Sequence, residues 1–316
     1  REGPQLGVRG HDVVHGREGA LRKSHPEPHL VQHGEGLGTG DLVNQVQTDE
    51  ELGLSIRQLA DAVQIPDLVE EIPGGRHDRG FSRGCESRPR GYAAAMDLLH
   101  VAHVPAGEGP FPTVLALHGW GSSAHDLIGL APVLNRGEAL VLSPQGPVGI
   151  RIPDGAVGYG WYPLGEGARG DPAEMTRALE LVLAFLDAAQ ERYPIDPRKI
   201  VLLGFSQGGA LAFDLALRDP SRFAGLAGLS CWLPDQLAEQ IQPESAHQSL
   251  PVLVVHGTED PMVPVDRARE SRQQLTRRGV ALTYREYQMA HEISVEALRD
   301  IVTWLDEKAL NPLQLG

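Results

Sequence analysis

The segment 201–213 carries the feature that most constrains the fold of this chain. It begins with an apolar tripeptide of the kind found in buried strands and ends with an apolar helical pattern. Between them stands Gly204-Phe205-Ser206-Gln207-Gly208. A strand, a tight turn and a helix around one serine are typical of a nucleophile elbow, in which the turn exposes the hydroxyl group. Two glycines fit such a turn, because a Cβ at either position would crowd the neighbouring strand or helix. The alternative is a plain strand-to-helix turn.

A nucleophilic serine needs a base, and the base needs an acid that orients it. In proteins built on such an elbow, the acid and then the base follow the serine in the chain. Asp260 lies just beyond the apolar, strand-like run 251–255, at the strand end that faces the same rim as Ser206. His291 is the only histidine after Asp260, so we predict it as the base. Glu259 is the alternative acid, and a surface histidine that caps a helix is the alternative role for His291.

An acyl-transfer site also needs donors for an oxyanion, each worth about 3–4 kcal/mol. The backbone N–H of Gln207, the residue after the serine, is one predicted donor. The second comes from a glycine-rich loop after an earlier strand. The strand-like run 112–117 precedes His118-Gly119-Trp120-Gly121-Ser122-Ser123, and we predict the N–H of Trp120 as this donor. A simple turn is the alternative for the loop.

Four separate segments carry a resemblance to a known family. In chain order they are Leu117-His118-Gly119-Trp120-Gly121, Gly204-Phe205-Ser206-Gln207-Gly208-Gly209, His256-Gly257-Thr258-Glu259-Asp260-Pro261-Met262-Val263-Pro264 and Met289-Ala290-His291-Glu292. Together they resemble the phospholipase/carboxylesterase branch of the α/β-hydrolases, the relatives of the acyl-protein thioesterases, over about residues 92–310. The resemblance implies nucleophile, acid and base at Ser206, Asp260 and His291, and neither a metal nor an organic cofactor.

The sequence departs from that family at two positions. Ala290 stands where members commonly have glycine, and its methyl group is expected to tighten the turn before His291. Trp120 stands where a smaller aliphatic residue is frequent, and its ring is expected to narrow the acyl pocket.

Composition limits the partners of the protein. The chain has 316 residues, a formal net charge of −14 and 41% hydrophobic residues. The negative charge argues against nucleic-acid binding, which needs a basic surface, and against adhesion to anionic membranes. No apolar run is long enough to span a membrane, so stable membrane insertion is not expected. The first residues lack the apolar core of a signal peptide. Cys85 and Cys231 fall in different regions of the chain, so we expect two free thiols and a cytoplasmic protein. The expected substrate is a small-molecule ester.

The organisation changes near residue 90. Residues 1–90 are predicted to form an N-terminal extension, and residues 91–316 the catalytic domain. Within the extension, an acidic turn followed by apolar residues at helical spacing predicts a helical arm around 49–72. Its apolar face needs a cover, either the catalytic domain or a second subunit, which makes a homodimer through this arm one possibility. A partly disordered extension is the alternative.

Strand and helix patterns alternate in the catalytic part, which predicts the α/β class with a doubly wound, mostly parallel sheet. Predicted strands lie at 96–104, 113–117, 139–142, 199–203, 223–229, 252–255 and 282–287. Predicted helices lie at 172–193, 207–218, 266–278 and 294–310. The walls of a substrate pocket are predicted to include Trp120, Trp161, Trp232, Met262 and Val263, with a place in the core as the alternative for each.

Three functions are compatible with the sequence. A serine carboxylesterase on short-to-medium acyl esters is preferred, because bulky tryptophans would block a long acyl channel. An acyl thioesterase or lysophospholipase would use the same chemistry on longer chains. A non-catalytic binding protein on a hydrolase scaffold is the third, and the complete set of Ser206, Asp260 and His291 argues against it.

Overall fold

Parallel strands make up most of the central sheet in the computed structural model, which describes residues 98–152, 155–165, 170–240 and 245–310. The strands in these ranges are His100–His103 (β1), Phe111–Leu117 (β2), Leu140–Pro144 (β3), Val148–Arg151 (β4), Val157–Gly160 (β5), Ile195–Phe205 (β6), Gly225–Leu229 (β7), Pro251–Gly257 (β8) and Ala281–Tyr287 (β9). The predicted extension 1–90, its arm at 49–72 and the homodimer contact through that arm all lie outside the described residues.

The order of strands in the main sheet is β1-β3-β2-β6-β7-β8-β9. Strand β1 runs antiparallel to β3, and the other neighbouring pairs are parallel. Strands β4 and β5 form a separate antiparallel hairpin. Because β2, β6 and β8 run in the same direction, their carboxyl ends meet at one edge of the sheet, where the residues that follow them come together.

After β5, α-helices separate the remaining strands along the chain. In the described ranges they are Pro172–Arg192 (α1), Gln207–Arg218 (α2), Asp235–Gln240 (α3), Ser245–Ser249 (α4), Val265–Arg277 (α5) and Val295–Trp304 (α6). The ends of the long helices follow local rules. The carboxylate of Asp171 accepts the amides of Ala173 and Glu174 to cap α1, and Pro172 takes the first helical position. The hydroxyl of Ser294 caps α6 in the same way, by accepting the amide of Ala297.

Side chains of the central strands pack on both faces of the sheet. Along β2, Leu115 and Leu117 lie in a cluster with residues of α1 and α2, whereas Val114 and Ala116 lie in a second cluster with residues of α6. This alternation has the period of two that a strand imposes. The sheet is therefore covered by helices on both faces, which confirms the predicted α/β class and explains why the strands read as continuous apolar runs.

The predicted strands and long helices are found in the described residues, with shifted ends. Among the strands, β1 begins at His100 rather than at 96, and β6 begins at Ile195 rather than at 199. The predicted helix 294–310 ends as α6 at Trp304 and continues as a π-helical turn, Leu305–Leu310. The hairpin β4–β5 and the short helices α3 and α4 were not predicted. No helix in the described ranges combines the length and the apolar character that crossing a membrane requires.

Candidate active site

Ser206 lies at the junction of β6 and α2 with a backbone φ of 52° and ψ of −118°. A non-glycine residue held at such a positive φ costs about 1–3 kcal/mol. The N–H of Ser206 donates to the carbonyl oxygen of Leu229 in the neighbouring strand, at 2.9 Å. A Cβ on Gly208 would lie 2.1 Å from the carbonyl oxygen of Leu117, and one on Gly204 would lie 2.4 Å from that of Gly208. Close packing therefore accounts for both glycines, as expected from the sequence.

The side chains of Asp260 and His291 meet beyond the carboxyl ends of β8 and β9. His291 Nδ1 lies 2.7 Å from Asp260 Oδ2. The other carboxylate oxygen, Oδ1, accepts the backbone N–H groups of Met262 at 2.9 Å and Val263 at 2.8 Å. The bond to a carboxylate assigns the proton of a neutral His291 to Nδ1, which leaves the lone pair on Nε2. The Asp260 side chain is fully buried and that of His291 is 11% exposed.

The ionisation of Asp260 follows from its surroundings. Burial by itself would raise the pKa of this carboxyl group. The hydrogen bond and charge of His291, together with the two backbone amides, outweigh burial and hold the pKa of Asp260 below its ordinary value. Asp260 is therefore a carboxylate at neutral pH. Glu259, the alternative acid, is exposed and accepts a hydrogen bond from Gln288 Nε2 at 3.0 Å.

The two residues that flank the serine turn, Phe205 before it and Gly119 in the neighbouring loop, contact His291 and Ser206 respectively. The ring of Phe205, the residue before the serine, packs on the imidazole of His291 with ring centroids 4.8 Å apart. On the other side, a Cβ on Gly119 would lie 3.3 Å from the Cβ of Ser206. The loop that contains Trp120 therefore runs beside the serine.

Gln207 is the first residue of α2. The first amides of an α-helix have no acceptor within the helix, and the helix dipole favours negative charge at this end. The backbone N–H of Gln207 is thus suited to bind an oxyanion. The side chain of Gln207 is buried and binds the backbone of the segment that follows β5. Its Oε1 accepts the N–H of Trp161 at 2.9 Å, and its Nε2 donates to the carbonyl of Tyr162 at 2.8 Å.

A buried histidine, His118, holds the backbone of the loop 118–123, which contains Trp120 and runs beside the serine. The N–H of Gly146 donates to its Nε2 at 3.0 Å, so its proton is on Nδ1, which donates to the carbonyl of Gly119 at 2.8 Å. Burial lowers the pKa of His118, against a smaller opposite effect of the Gly119 carbonyl. The neutral ring therefore holds the residue before Trp120 in place. Sequence reasoning gave no role to this side chain or to that of Gln207, although both lie inside the quoted motifs.

The unpredicted hairpin is joined to the Trp120 loop by backbone hydrogen bonds. Gly121 N–H donates to the carbonyl of Tyr159 at 2.9 Å, and Tyr159 N–H donates to the carbonyl of Ser122 at 2.7 Å. The indole of Trp120 lies on Gly160 of β5, where a Cβ would approach Trp120 Cε3 to 2.3 Å. The hairpin thus fixes both the backbone and the ring of Trp120.

The predicted pocket walls divide into two groups. Trp161 is only 2% exposed, belongs to the core and donates its indole N–H to the carbonyl of His118 at 2.8 Å, which corrects its predicted place on a wall. The side chain of Val263 is also buried, and its backbone holds Asp260. Trp120 and Trp232 are partly exposed, and Met262 is 63% exposed.

A cavity of about 480 Å³ lies between α3 and α5, apart from these residues. Leu233, Arg267, Ser271 and Arg278 are among the side chains that line it. None of the predicted site residues contributes to its lining. Within the described ranges, no cluster of three or more histidine, cysteine, aspartate or glutamate side chains is arranged to hold a metal ion.

The helix-covered parallel sheet, with a strained serine after a central strand and an acid and a histidine after later strands, defines an α/β-hydrolase. Residues 101–309 match the sequence profile of one family within this class, described as Phospholipase/Carboxylesterase. The chain belongs to this family. The predicted family is therefore confirmed, and the carboxylesterase in its description confirms the predicted enzyme class, a carboxylic ester hydrolase.

Similar proteins include acyl-protein thioesterase 1 of Gibberella zeae, which is 30% identical over 66% of this chain and 94% of its own length. A protein of Oryza sativa subsp. japonica named "Probable carboxylesterase" is 30% identical over 69% of this chain and 84% of its own. Among solved structures, the Bacillus cereus carboxylesterase matches with a TM-score of 0.58 at 23% identity, over 68% of this chain and 96% of its own. At that identity the structural match speaks for the fold alone.

Proposed function

We propose that this protein is a serine carboxylesterase that hydrolyses short-to-medium acyl esters through Ser206, His291 and Asp260. The observation that carries the proposal is the 2.7 Å contact between His291 Nδ1 and Asp260 Oδ2, because it leaves Nε2 of the histidine as the base. Family membership supports the same chemistry.

In the first half of the proposed reaction, the Ser206 Oγ attacks the ester carbonyl carbon while His291 Nε2 takes the hydroxyl proton. The new C–O bond converts the carbonyl oxygen into an oxyanion, which the backbone N–H groups of Trp120 and Gln207 bind. Asp260 stabilises the imidazolium that has formed. Collapse of the intermediate breaks the bond to the leaving alcohol, and Nε2 returns the proton to the alcohol oxygen.

In the second half, a water molecule takes the place of the alcohol. His291 removes one proton from the water as its oxygen attacks the acyl carbon, and the same two amides bind the second oxyanion. The bond between the acyl carbon and Ser206 Oγ then breaks, and Nε2 returns the proton to the serine. The products are the free acid and the unchanged enzyme, so neither half requires a cofactor.

The preference for short-to-medium chains rests on Trp120. Its ring lies against β5 beside the proposed oxyanion site, and the hydrogen bonds of Gly121 and Ser122 to Tyr159 fix that arrangement. A fixed indole next to the acyl carbon limits the space for a long acyl chain. Trp232 and Met262 are the further walls we propose.

One observation favours a second candidate, an acyl thioesterase or lysophospholipase on longer acyl chains. A relative that is 30% identical along most of its length carries the name acyl-protein thioesterase. The catalytic steps would be the same, with a thiol as the leaving group in the thioesterase case. The two candidates therefore differ in the acyl pocket and the leaving group.

The test is hydrolysis of p-nitrophenyl esters from acetate to palmitate, with matched acyl thioesters, by the wild type and by Ser206→Ala. We expect a short-to-medium optimum and loss of turnover in Ser206→Ala. Ser230→Ala is the matched control, since Ser230 also follows a strand with a positive φ, of 46°, but is fully buried. An optimum at palmitate would favour the second candidate, and turnover by Ser206→Ala equal to that of the wild type would contradict the proposed nucleophile.

The proposed setting is the cytoplasm, with a small ester as the partner. The described cysteine, Cys231, is buried, and burial raises the pKa of its thiol, which suits a protein that keeps its cysteines reduced. Fractionation of the producing cells tests this location. The homodimer through residues 49–72 stays a prediction, to be checked by comparing the masses of the full chain and of a chain lacking residues 1–90 in solution.

A further inference from the structure

His256, at the end of β8, is a fully buried side chain that the proposed reaction does not use. Its Nε2 lies 2.8 Å from the carbonyl oxygen of Val263 and 3.5 Å from Oδ2 of Asp260. Both neighbours are oxygens that accept hydrogen bonds, so Nε2 carries the proton and donates it. The other ring nitrogen, Nδ1, has no hydrogen-bond partner among the described residues.

This arrangement keeps the ring neutral. A proton on Nδ1 would place a buried N–H group without an acceptor, which costs about 1–3 kcal/mol. Burial lowers the pKa of His256, and the charge of His291 acts in the same direction. The Val263 carbonyl, Asp260 and Glu286 act in the opposite direction, and burial outweighs them. His256 is therefore a fixed neutral donor at the pH where the enzyme is expected to work.

Val263 connects His256 with Asp260. Its carbonyl accepts the proton of His256 Nε2 at 2.8 Å, and its N–H donates to Asp260 Oδ1, also at 2.8 Å. The histidine at the end of the strand thus holds the backbone of the turn that holds one carboxylate oxygen. The same Nε2–H group also faces the second oxygen, Oδ2, which His291 uses.

We propose that His256 is a positioning residue for Asp260: it closes the turn 256–263 so that Asp260 Oδ2 is presented to His291. The proposal rests on the proposed catalytic role of Asp260. His256 does not touch the reacting atoms and acts through Asp260 on the orientation of the imidazole. Without the Nε2–H donor, the turn is free to shift and the carboxylate is free to rotate away from His291.

Two substitutions at this position separate positioning from packing. Glutamine carries an amide N–H about as far from the backbone as Nε2 of histidine, whereas asparagine ends near the position of Nδ1. Both are polar and smaller than histidine, so both leave some space in the core. We expect His256→Asn to lower kcat by about tenfold to a hundredfold, as small misplacements of catalytic groups do. We expect His256→Gln to stay within about threefold of the wild type, and KM to change little in either variant.

His247→Asn is the matched control for the loss of a buried histidine. His247 is also buried, and its Nε2 lies 2.9 Å from a backbone carbonyl, that of Leu217, in a different part of the molecule. We expect this variant to melt at a lower temperature while kcat stays within about twofold of the wild type, because it leaves the acid turn intact.

The experiment measures kcat, KM and thermal melting for these three variants and for Ser206→Ala on one ester. Equal kcat values for the Asn and Gln variants at position 256, or a loss that falls on KM, would overturn the positioning role. The positioning role would also be overturned if His247→Asn lost as much kcat as His256→Asn. Turnover that survives Ser206→Ala would instead contradict the proposed function. If His256→Asn does not fold, a wild-type kcat in His256→Phe, which keeps the ring but has no N–H, would overturn the inference.

Discussion

His291 Nδ1 lies 2.7 Å from Asp260 Oδ2, although a second carboxylate, that of Glu259, stands next to it in the chain. The adjacent residues of this turn point in different directions. Asp260 is buried and receives the backbone amides of the turn, whereas Glu259 is exposed and bound to Gln288. The geometry thus favours Asp260 as the acid of the proposed triad.

Asp260→Asn is expected to lower kcat by about 10³–10⁴-fold, because an amide no longer fixes the tautomer of His291 or stabilises its charged form. Glu259→Gln is the control and is expected to stay within about twofold, since it alters only an exposed contact. Ester hydrolysis at saturating substrate measures both. A larger loss of kcat in Glu259→Gln than in Asp260→Asn would show that Glu259, and not Asp260, is the acid.

Trp120→Leu is expected to move the chain-length optimum toward longer acyl groups, because it removes the ring that packs on β5. Gly160→Ala is the complementary change, since its methyl group would have to displace the ring from a 2.3 Å approach. We expect this variant to alter the optimum while leaving the triad intact. The p-nitrophenyl ester series measures both variants. An unchanged optimum in Trp120→Leu would remove Trp120 from the acyl pocket.

Gln207→Met is expected to lower both stability and kcat, although the backbone N–H of residue 207 is kept. The variant leaves the buried N–H of Trp161 and the carbonyl of Tyr162 without partners, at about 1–3 kcal/mol each. Urea unfolding and ester hydrolysis provide the two measurements. Gln190→Met, on the exposed face of α1, is the control and is expected to change stability by less than about 0.5 kcal/mol. Equal stabilities for the two variants would contradict the role of the Gln207 amide.

The free energy of unfolding is expected to fall as the pH drops below about 6.5. The folded protein keeps His118 and His256 neutral with lowered pKa values, so in this range the unfolded chain binds protons that the folded chain does not. Stability is therefore full above the unfolded pKa and is lost below it, with a slope approaching about 1.4 kcal/mol per pH unit for each histidine. The pKa of Asp260 in the folded protein is lowered, so its ionised form stabilises the fold at higher pH. This contribution to the free energy of unfolding is lost in a second, lower pH range, below about pH 4.

Urea unfolding at several pH values measures this dependence. His256→Gln is expected to show a shallower slope between about pH 5 and pH 6.5, by up to one proton, because glutamine does not titrate. The same slope in the variant and in the wild type would show that His256 is not kept neutral by the fold.

Several elements were predictable because their signals are local. The predicted strand 113–117 corresponds to β2, Phe111–Leu117, and the predicted helix 172–193 corresponds to α1, Pro172–Arg192. The strand is indicated by a run of apolar residues and the helix by an Asp-Pro pair at its start, and both signals consist of consecutive residues. The hairpin β4–β5 was missed because its strands are four residues long, contain glycine and depend on pairing with each other and with the distant Ser122.

The sequence by itself determined the chain order of a serine, an acid and a histidine, each after a strand, and with it the class of fold. The tertiary structure alone decided how buried polar groups hold these residues. Gln207 reaches Trp161 across 46 positions, and His118 meets Gly146 across 28. The physical reason is that a strand or a turn is specified by its neighbours in the chain. A buried donor finds its acceptor only when the packed core has excluded water and brought distant segments together.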